Sequence, residues 1–416
     1  MQDSALQAIH GLQQRDLPSA NGQLMRFLVE ELELPFRIDS VELRPGAVSL
    51  NSINGVLHTD RGRKFFKTHV EPASIVTEYY NVGLLRDAGY PIIAPAFAST
   101  AYGRQILIYD YIEAPSLFDA IRKIDTGAAD DCGDLASAVR TSDDLLFHLY
   151  GRSLRFASAE SHARQPVHQL FLHRLSGRYS NFYGGEFTLP EIRIDFPALA
   201  RKKWIINGIA YRDSLEALVT KARETLGFRG VPQIPAITGH GDAHSGNQLY
   251  FGRQAPLTYF DPAFAGTHSP MLDLIKPLIH NSFLKWLYFP DEVAAANAIS
   301  CRMTDDTVTV EYDFRPSEIR IALFESKLTR VIAPMLELME EQKLLPDDWQ
   351  AVMQAAAMCC PLLTMNLADR RRFKPETALL GLAMAVELGA RSQDARHPGW
   401  FEERLKDVVP PGKNKP

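Results

Sequence analysis

Cysteine is scarce in this chain. Four stand in 416 residues, Cys132, Cys301, Cys359 and Cys360, and their spacing does not match the paired pattern of a zinc site. Cys359 and Cys360 lie in the apolar run "AVMQAAAMCCPLL" and read as buried, reduced thiols. No apolar run approaches the roughly 18 residues that cross a bilayer, so no membrane partner is expected. The stretch "MQDSALQAIHGLQQRD" lacks a basic segment followed by an apolar one, and the expected location is the cytoplasm. Neither sign of charge dominates: the formal net charge is -5, which gives no reason to expect a nucleic-acid partner. The pattern G-x-x-x-x-G-K-[ST] is missing, which argues against a P-loop fold. There is no repeat and no low-complexity tract.

What is present is an ordinary globular composition, 46% apolar and 23% charged, on a chain long enough for two domains. Residues 1–40 read as an N-terminal helical extension. From Val41, "VELRPGAVSLNSINGVLHTDRGRKFFKTHVE" alternates apolar and polar residues, with turn signals at Pro45-Gly46, Asn54-Gly55 and Asp60-Arg61-Gly62. That pattern predicts short antiparallel strands. "PASIVTEYYNVGLLRDAGYP" predicts a helix capped by Ser74 and stopped by Gly89 and Pro91. "RQILIYDYIEAPSL" is a further strand. Beyond it the pattern is mainly helical, apart from two short strands near 247–261. The expected fold is α+β in two lobes: a small antiparallel-sheet lobe over 41–113 and a larger, mainly helical lobe over 114–416.

The densest chemistry is "HGDAHSGNQLYF", His240 to Phe251. "NQLYF" and "LTYF" are short strand candidates joined by a loop with Gly and Pro. Paired as a hairpin with Phe251 opposite Leu257, they set Asn247 opposite Asp261. An amide oxygen and a carboxylate meeting there suit Mg²⁺, a hard cation that takes few protein ligands. Asp242 stands five residues before Asn247. A carboxylate beside a metal is what phosphoryl transfer needs to receive or orient the proton of an attacking hydroxyl. His240 and His244 are four apart, but on a glycine-containing loop this spacing does not make a metal pair.

"HGDAHSGN" followed by "YFDPAFAG" resembles the signature of the aminoglycoside phosphotransferase and choline-kinase-like family, which has the protein-kinase fold. "DPAFAGTHSPMLDL" continues the likeness, and its wording is similar to that of methylthioribose kinases. That branch usually has another residue at the position of Asn247, so the chain is not assigned to it. The resemblance implies that Asp242 is the catalytic base, that Asn247 and Asp261 bind Mg²⁺, and that Asp273 is a structural carboxylate.

The same resemblance asks the small lobe for a strand lysine, an acidic partner on the next helix, and a turn over the phosphates of ATP. "KFFKTH" offers Lys64 and Lys67, which face opposite sides of a strand. Lys67 precedes the helix more closely and is the choice, with Glu78 as its partner. Gly46, Ser49, Asn51 and Ser52 would form the phosphate-covering turn, although "RPGAVSLNS" departs from G-x-G-x-x-G. Backbone groups near Asp110 and Ile112 would hold the adenine edge.

The expected activity is ATP- and Mg²⁺-dependent phosphorylation of a hydroxyl on a small molecule: a sugar, sugar derivative, amino alcohol or aminoglycoside. Two other readings are a metal-dependent hydrolase built on the HGDAH segment and a silent nucleotide-binding pseudokinase. The hydrolase lacks a second His/Asp cluster. Asp242, Asn247, Asp261 and Lys67 together speak against lost catalysis. Residues 165–235, read as a helical insert, carry more Lys and Arg than Asp and Glu, which leans toward a neutral or anionic acceptor. Arg370 to Arg372 are a further anion-contact candidate.

Overall fold

The structure, a computed structural model, describes residues 5–13, 15–44, 52–69, 72–228 and 230–410, and only the backbone of residues 52, 72–76 and 78. The chain divides into two compact units, Met1–Ala114 with Thr258–Ala263, and Pro115–Leu257 with Phe264–Pro416.

The first unit is built on a five-stranded antiparallel sheet in which the strands, taken in chain order, lie first, second, third, fifth and fourth. Its elements run α1 (Ala5–Leu12), α2 (Leu17–Glu30), β1 (Ile38–Leu43), β2 (Ser52–Thr59), β3 (Gly62–His69), α3 (Pro72–Ala88), β4 (Phe97–Ser99) and β5 (Ile106–Asp110). Asp16 caps α2 by accepting from the Ser19 N–H at 3.1 Å, and a proline follows in the first turn. The segment read as an extension packs into the sheet. Leu6, Ile9, Leu24, Phe27 and Leu28 share one core with Ile53, Leu57, Phe66, Ile106 and Ile108. Burying those side chains, at about 1.5–3 kcal/mol each, joins the helices to the strands. Helix α3 begins at Pro72, two residues before the expected cap, and ends before Gly89, whose φ is +97°.

Two Asn-Gly pairs differ in an instructive way. Asn54-Gly55, expected as a turn, lies inside β2, with Gly55 opposite Leu43 and Phe66. A Cβ there would collide with the Glu42 carbonyl oxygen and sit 2.9 Å from the Phe66 ring. The glycine serves close packing, not a turn. Asn207-Gly208 is the genuine hairpin turn. It joins strands Lys203–Ile206 and Ile209–Ala210 with φ of 48° and 81°, the left-handed pair that a two-residue hairpin requires.

The second unit is largely helical but holds more strands than expected. The segment read as a helical insert contains Glu186–Leu189, Ile192–Asp195 and Lys203–Ile206, and the last joins Ile299–Met303 and Thr307–Tyr312 in a four-stranded sheet. Short alternating runs between tight turns stand behind this correction: Glu191 and Asn207 both take positive φ. Two elements position the site. The strand Gln233–Gly239, buried after its first residue, pairs with Arg155–Ser158 and Gly266–His268. The helix Pro270–Phe283 is buried from Pro270 to Ser282 and packs on the helix Trp349–Leu363. Cys359 and Cys360 are buried, unbridged thiols on that second helix. Among the described residues no helix is long and apolar enough to cross a membrane.

Replacing Gly55 by Ala should lower stability by about 1–3 kcal/mol, since the new methyl group forces β1 and the Phe66 ring apart. Urea unfolding of the two proteins checks this; equal midpoints would contradict the packing role.

Candidate functional site

The strand Gln233–Gly239 delivers the His240-Gly241-Asp242 turn at its end. Gly241 has a φ of +75°, and a Cβ on it would collide with the Phe264 carbonyl group, so only glycine fits. Its N–H donates to the carboxylate of Asp273. Asp273 also accepts from His268 Nε2 at 2.7 Å and from the Tyr150 hydroxyl, and is 2% exposed. Burial would push this carboxyl up, but the donors outweigh it, His268 foremost, and hold it below the ordinary range. Asp273 therefore clamps the turn, as a structural carboxylate should.

Asp242 is buried, with its carboxylate paired to the ammonium of Lys276 on the helix Pro270–Phe283. His244 Nε2 stands 3.7 Å from the same carboxylate. Burial alone would raise the Asp242 pKa. The charges of Lys276 and His244 and the Lys276 hydrogen bond outweigh it, so the carboxyl stays below its ordinary 3.8. Lys276 lies 4% exposed, 5.4 Å from the Phe264 ring centre. Burial pulls it below the ordinary lysine range, while Asp242 opposes that pull.

The rest of the loop is wired to itself. The Nδ1 of His240 accepts from the Asp242 N–H at 3.3 Å, and the Nδ1 of His244 accepts from the Gly246 N–H at 3.0 Å. Each histidine spends one ring nitrogen on the turn. Among the described residues no group of three or more His, Cys, Asp or Glu is arranged to hold a metal ion. That gives no support to the hydrolase alternative. Asn247 ends the short turn Ser245–Asn247, and its Nδ2 donates to the Asp242 carbonyl at 2.9 Å. This bond fixes the amide with Oδ1 as its remaining acceptor.

Lys276 and its neighbour His280 were not expected from the sequence. His280 bonds through Nδ1 to the Tyr288 hydroxyl at 2.8 Å, and its ring stacks with His244 at 6.1 Å. Burial, then the charges of Lys276 and His244, hold it well below the usual histidine range and so neutral. The available signal was a lysine and a histidine four apart in the otherwise apolar run "PMLDLIKPLIH".

In the first unit, Lys67 Nζ stands 2.8 Å from Asp261 Oδ1. Asp261 takes a φ of 53°, sparsely populated for a residue with a side chain, and the next carbonyl, of Pro262, accepts from Asn81 Nδ2 at 2.8 Å. Lys64 lies on the buried face with Phe66, pairs with Asp110, and sits 5.7 Å from the Phe36 ring centre. Lys67 has the other parity. Glu78, the expected partner of Lys67, is on α3 with its side chain outside the described residues. Gly46, Ser49 and Asn51 also lie outside them, and Ser52 begins β2. Asp110 ends β5, opposite Lys64, and Ile112 follows in irregular chain. Asn247 belongs to the second unit and Asp261 to the first. Of the arginines 370–372, Arg371 is tied to Asp369 on the surface.

No family model matches the chain, and no curated protein matches it. Solved structures do. A microcompartment-associated aminopropanol kinase is 13% identical, with a TM-score of 0.45 over 90% of this chain and 96% of its own. A spectinomycin phosphotransferase in complex with ADP and spectinomycin is 13% identical, at 0.40 over 88% and 97%. A macrolide 2'-phosphotransferase from Brachybacterium faecium is 12% identical, at 0.40 over 89% and 98%. These matches are small-molecule kinases and phosphotransferases.

Lys276→Met should cost about 3–5 kcal/mol at neutral pH, because it strands a buried carboxylate. The pH dependence should also change sign. In the wild type, the folded-state pKa of Asp242 is depressed, so its contribution is present above 3.8 and lost as pH falls through the folded-state value. Without Lys276, burial dominates and the carboxyl rises above 3.8. The variant then loses stability as pH climbs from that value toward neutrality. Unfolding curves from pH 4 to 8 check both statements. A variant that shows no such loss across that range, its pH dependence parallel to that of the wild type, would remove Lys276 as the group that keeps Asp242 ionised.

Proposed function

We propose that this chain is an ATP- and Mg²⁺-dependent phosphotransferase whose acceptor is a hydroxyl of a small molecule. The observation that carries the reading is Asp242: a buried carboxylate, kept ionised by Lys276, with Asn247 bound to its own main chain five residues on.

An ionised carboxylate of depressed pKa is a weak base in the ground state. Its value lies in accepting a hydrogen bond from the acceptor hydroxyl, which aims the oxygen and takes the proton as charge moves. The acceptor oxygen bonds to the γ-phosphorus, the bond from that phosphorus to the bridging oxygen breaks, and ADP leaves with the electron pair. The proton passes to Asp242 and then to solvent.

Lys67 is assigned to the nucleotide phosphates, with Glu78 on α3 as a partner in the loaded state. Gly46, Ser49, Asn51 and Ser52 are assigned to the turn over the phosphates, and the main chain near Asp110 and Ile112 to the base. Asn247 and Asp261 are assigned to Mg²⁺. Their chemistry fits a hard cation: the Asn247 amide is oriented with Oδ1 as its remaining acceptor, and Asp261 is a carboxylate already facing a cation. When bound, Mg²⁺ neutralises charge on the transferred phosphoryl oxygens.

The test is release of ADP from Mg-ATP across sugars, amino alcohols and aminoglycosides. Asp242→Asn should lower turnover on the order of 10²–10⁴-fold without changing nucleotide affinity. Lys67→Ala should raise the KM for ATP, and Lys64→Ala, on the other face of β3, should not. Asp242→Asn turning over near the wild-type rate would sink the assignment.

A further inference from the structure

Arg174 opens the π-helical turn Arg174–Arg178, directly after the helix Pro166–His173. Such widened turns recur at functional sites. The side chain is 5% exposed, and its Nε and Nη1 have no hydrogen-bond partner among the described residues. No described carboxylate lies within ion-pairing distance of it. Other buried cations of this unit are matched: Lys276 by Asp242, Lys327 by Asp143, Arg320 by Asp125. A buried guanidinium without a counter-charge is costly, and proteins retain few of them without a reason.

Its surroundings supply the reason. The turn Arg174–Arg178 packs on the helix Trp349–Leu363, which packs on the helix that carries Lys276 and His280. The charge of Arg174 acts on Lys276, His280, Tyr288 and Cys360, and the last of these also feels Asp242. Lys276 is matched by Asp242. His280 is held neutral by burial and the nearby cations, and burial keeps the Tyr288 hydroxyl protonated. Among the described buried cations of this unit the guanidinium of Arg174 is the one without a counter-charge, and its planar fork suits two oxygens; Arg178 beside it is only half-buried and donates from Nη1 to the carbonyl of Leu363.

We propose that the acceptor carries an oxyanion, a carboxylate or a phosphate group, and that Arg174 binds it while the acceptor's hydroxyl faces Asp242. The word acceptor rests on the phosphotransferase reading; the oxyanion site does not. A cationic acceptor would meet uncompensated like charge, and a neutral one would leave the guanidinium unpaired.

The test uses the full chain with two probes, L-tartrate and inorganic phosphate, against NaCl of equal ionic strength and glycerol as the neutral control. Either probe should raise the wild-type melting temperature at millimolar concentration, and the stronger one tells carboxylate from phosphate. In Arg174→Met the dissociation constant should weaken at least tenfold, while the free variant melts at or above the wild-type temperature, since the unpaired charge is gone. Arg174→Lys, which keeps the charge without the fork, should fold and bind the probe more weakly than the wild type. It supplies the comparison if the Met variant does not fold. No response of the wild type beyond NaCl, or unchanged binding in the variants, would overturn the site. Turnover with glycerate against glycerol is the second arm. The acid should be preferred at least tenfold in kcat/KM, and the preference should collapse in the Arg174 variants; equal turnover of both would overturn the proposal. Anion binding that depends on Arg174, with no phosphorylation of any acceptor, would instead count against the phosphotransferase reading and leave the oxyanion site standing.

Discussion

Taking a carboxylate and an ammonium out of water costs several kcal/mol for each ion, and the second unit does so at Asp242 and Lys276. Only tight mutual geometry offsets that cost, so the elements carrying the two ions are held in place. Asp242 leaves a strand paired on both sides. Lys276 stands on a helix buried along nearly its whole length. Gly241 permits the turn between strand and carboxylate, and Asp273 clamps it from the same helix that carries Lys276. One helix therefore supplies both the group that shapes the turn and the group that charges it.

Around this pair the hydrogen-bond capacity is used locally. His240 and His244 each give a ring nitrogen to a backbone N–H of their own loop, and Asn247 ties its amide to the Asp242 carbonyl. The loop is organised before any ligand arrives, which is what electrostatic preorganisation requires. In the first unit, strand parity performs a similar sorting. Lys64 lies on the buried face against Phe36 and Asp110, and Lys67 on the face where Asp261 meets it.

The legible parts of the sequence were those with local chemistry. The run from His240 to Asn247 packs its functional groups within one turn, and the β3 lysines are sorted by a period of two. Less legible were features that depend on contacts far along the chain. Asp261 lies 194 positions from Lys67, beyond the reach of local pattern, which points to Glu78, a residue whose side chain lies outside the described residues. Asn54-Gly55 and Asn207-Gly208 are the same dipeptide, and only packing against Glu42 and Phe66 separates a strand from a turn. Lys276 and Arg174 look like ordinary cations in sequence, and burial gives them their meaning. The extra strands of the second unit were hidden because each is seven residues or fewer.

The account turns on Asp242 remaining ionised while buried. Carbon-13 labelling of aspartate carboxyls, with Asp242 assigned by its absence from the spectrum of Asp242→Asn, reads its titration directly. The account predicts a midpoint below the ordinary 3.8, with no further change in the resonance up to pH 8. A midpoint at or above neutrality would mean that burial prevails over Lys276, and would contradict it.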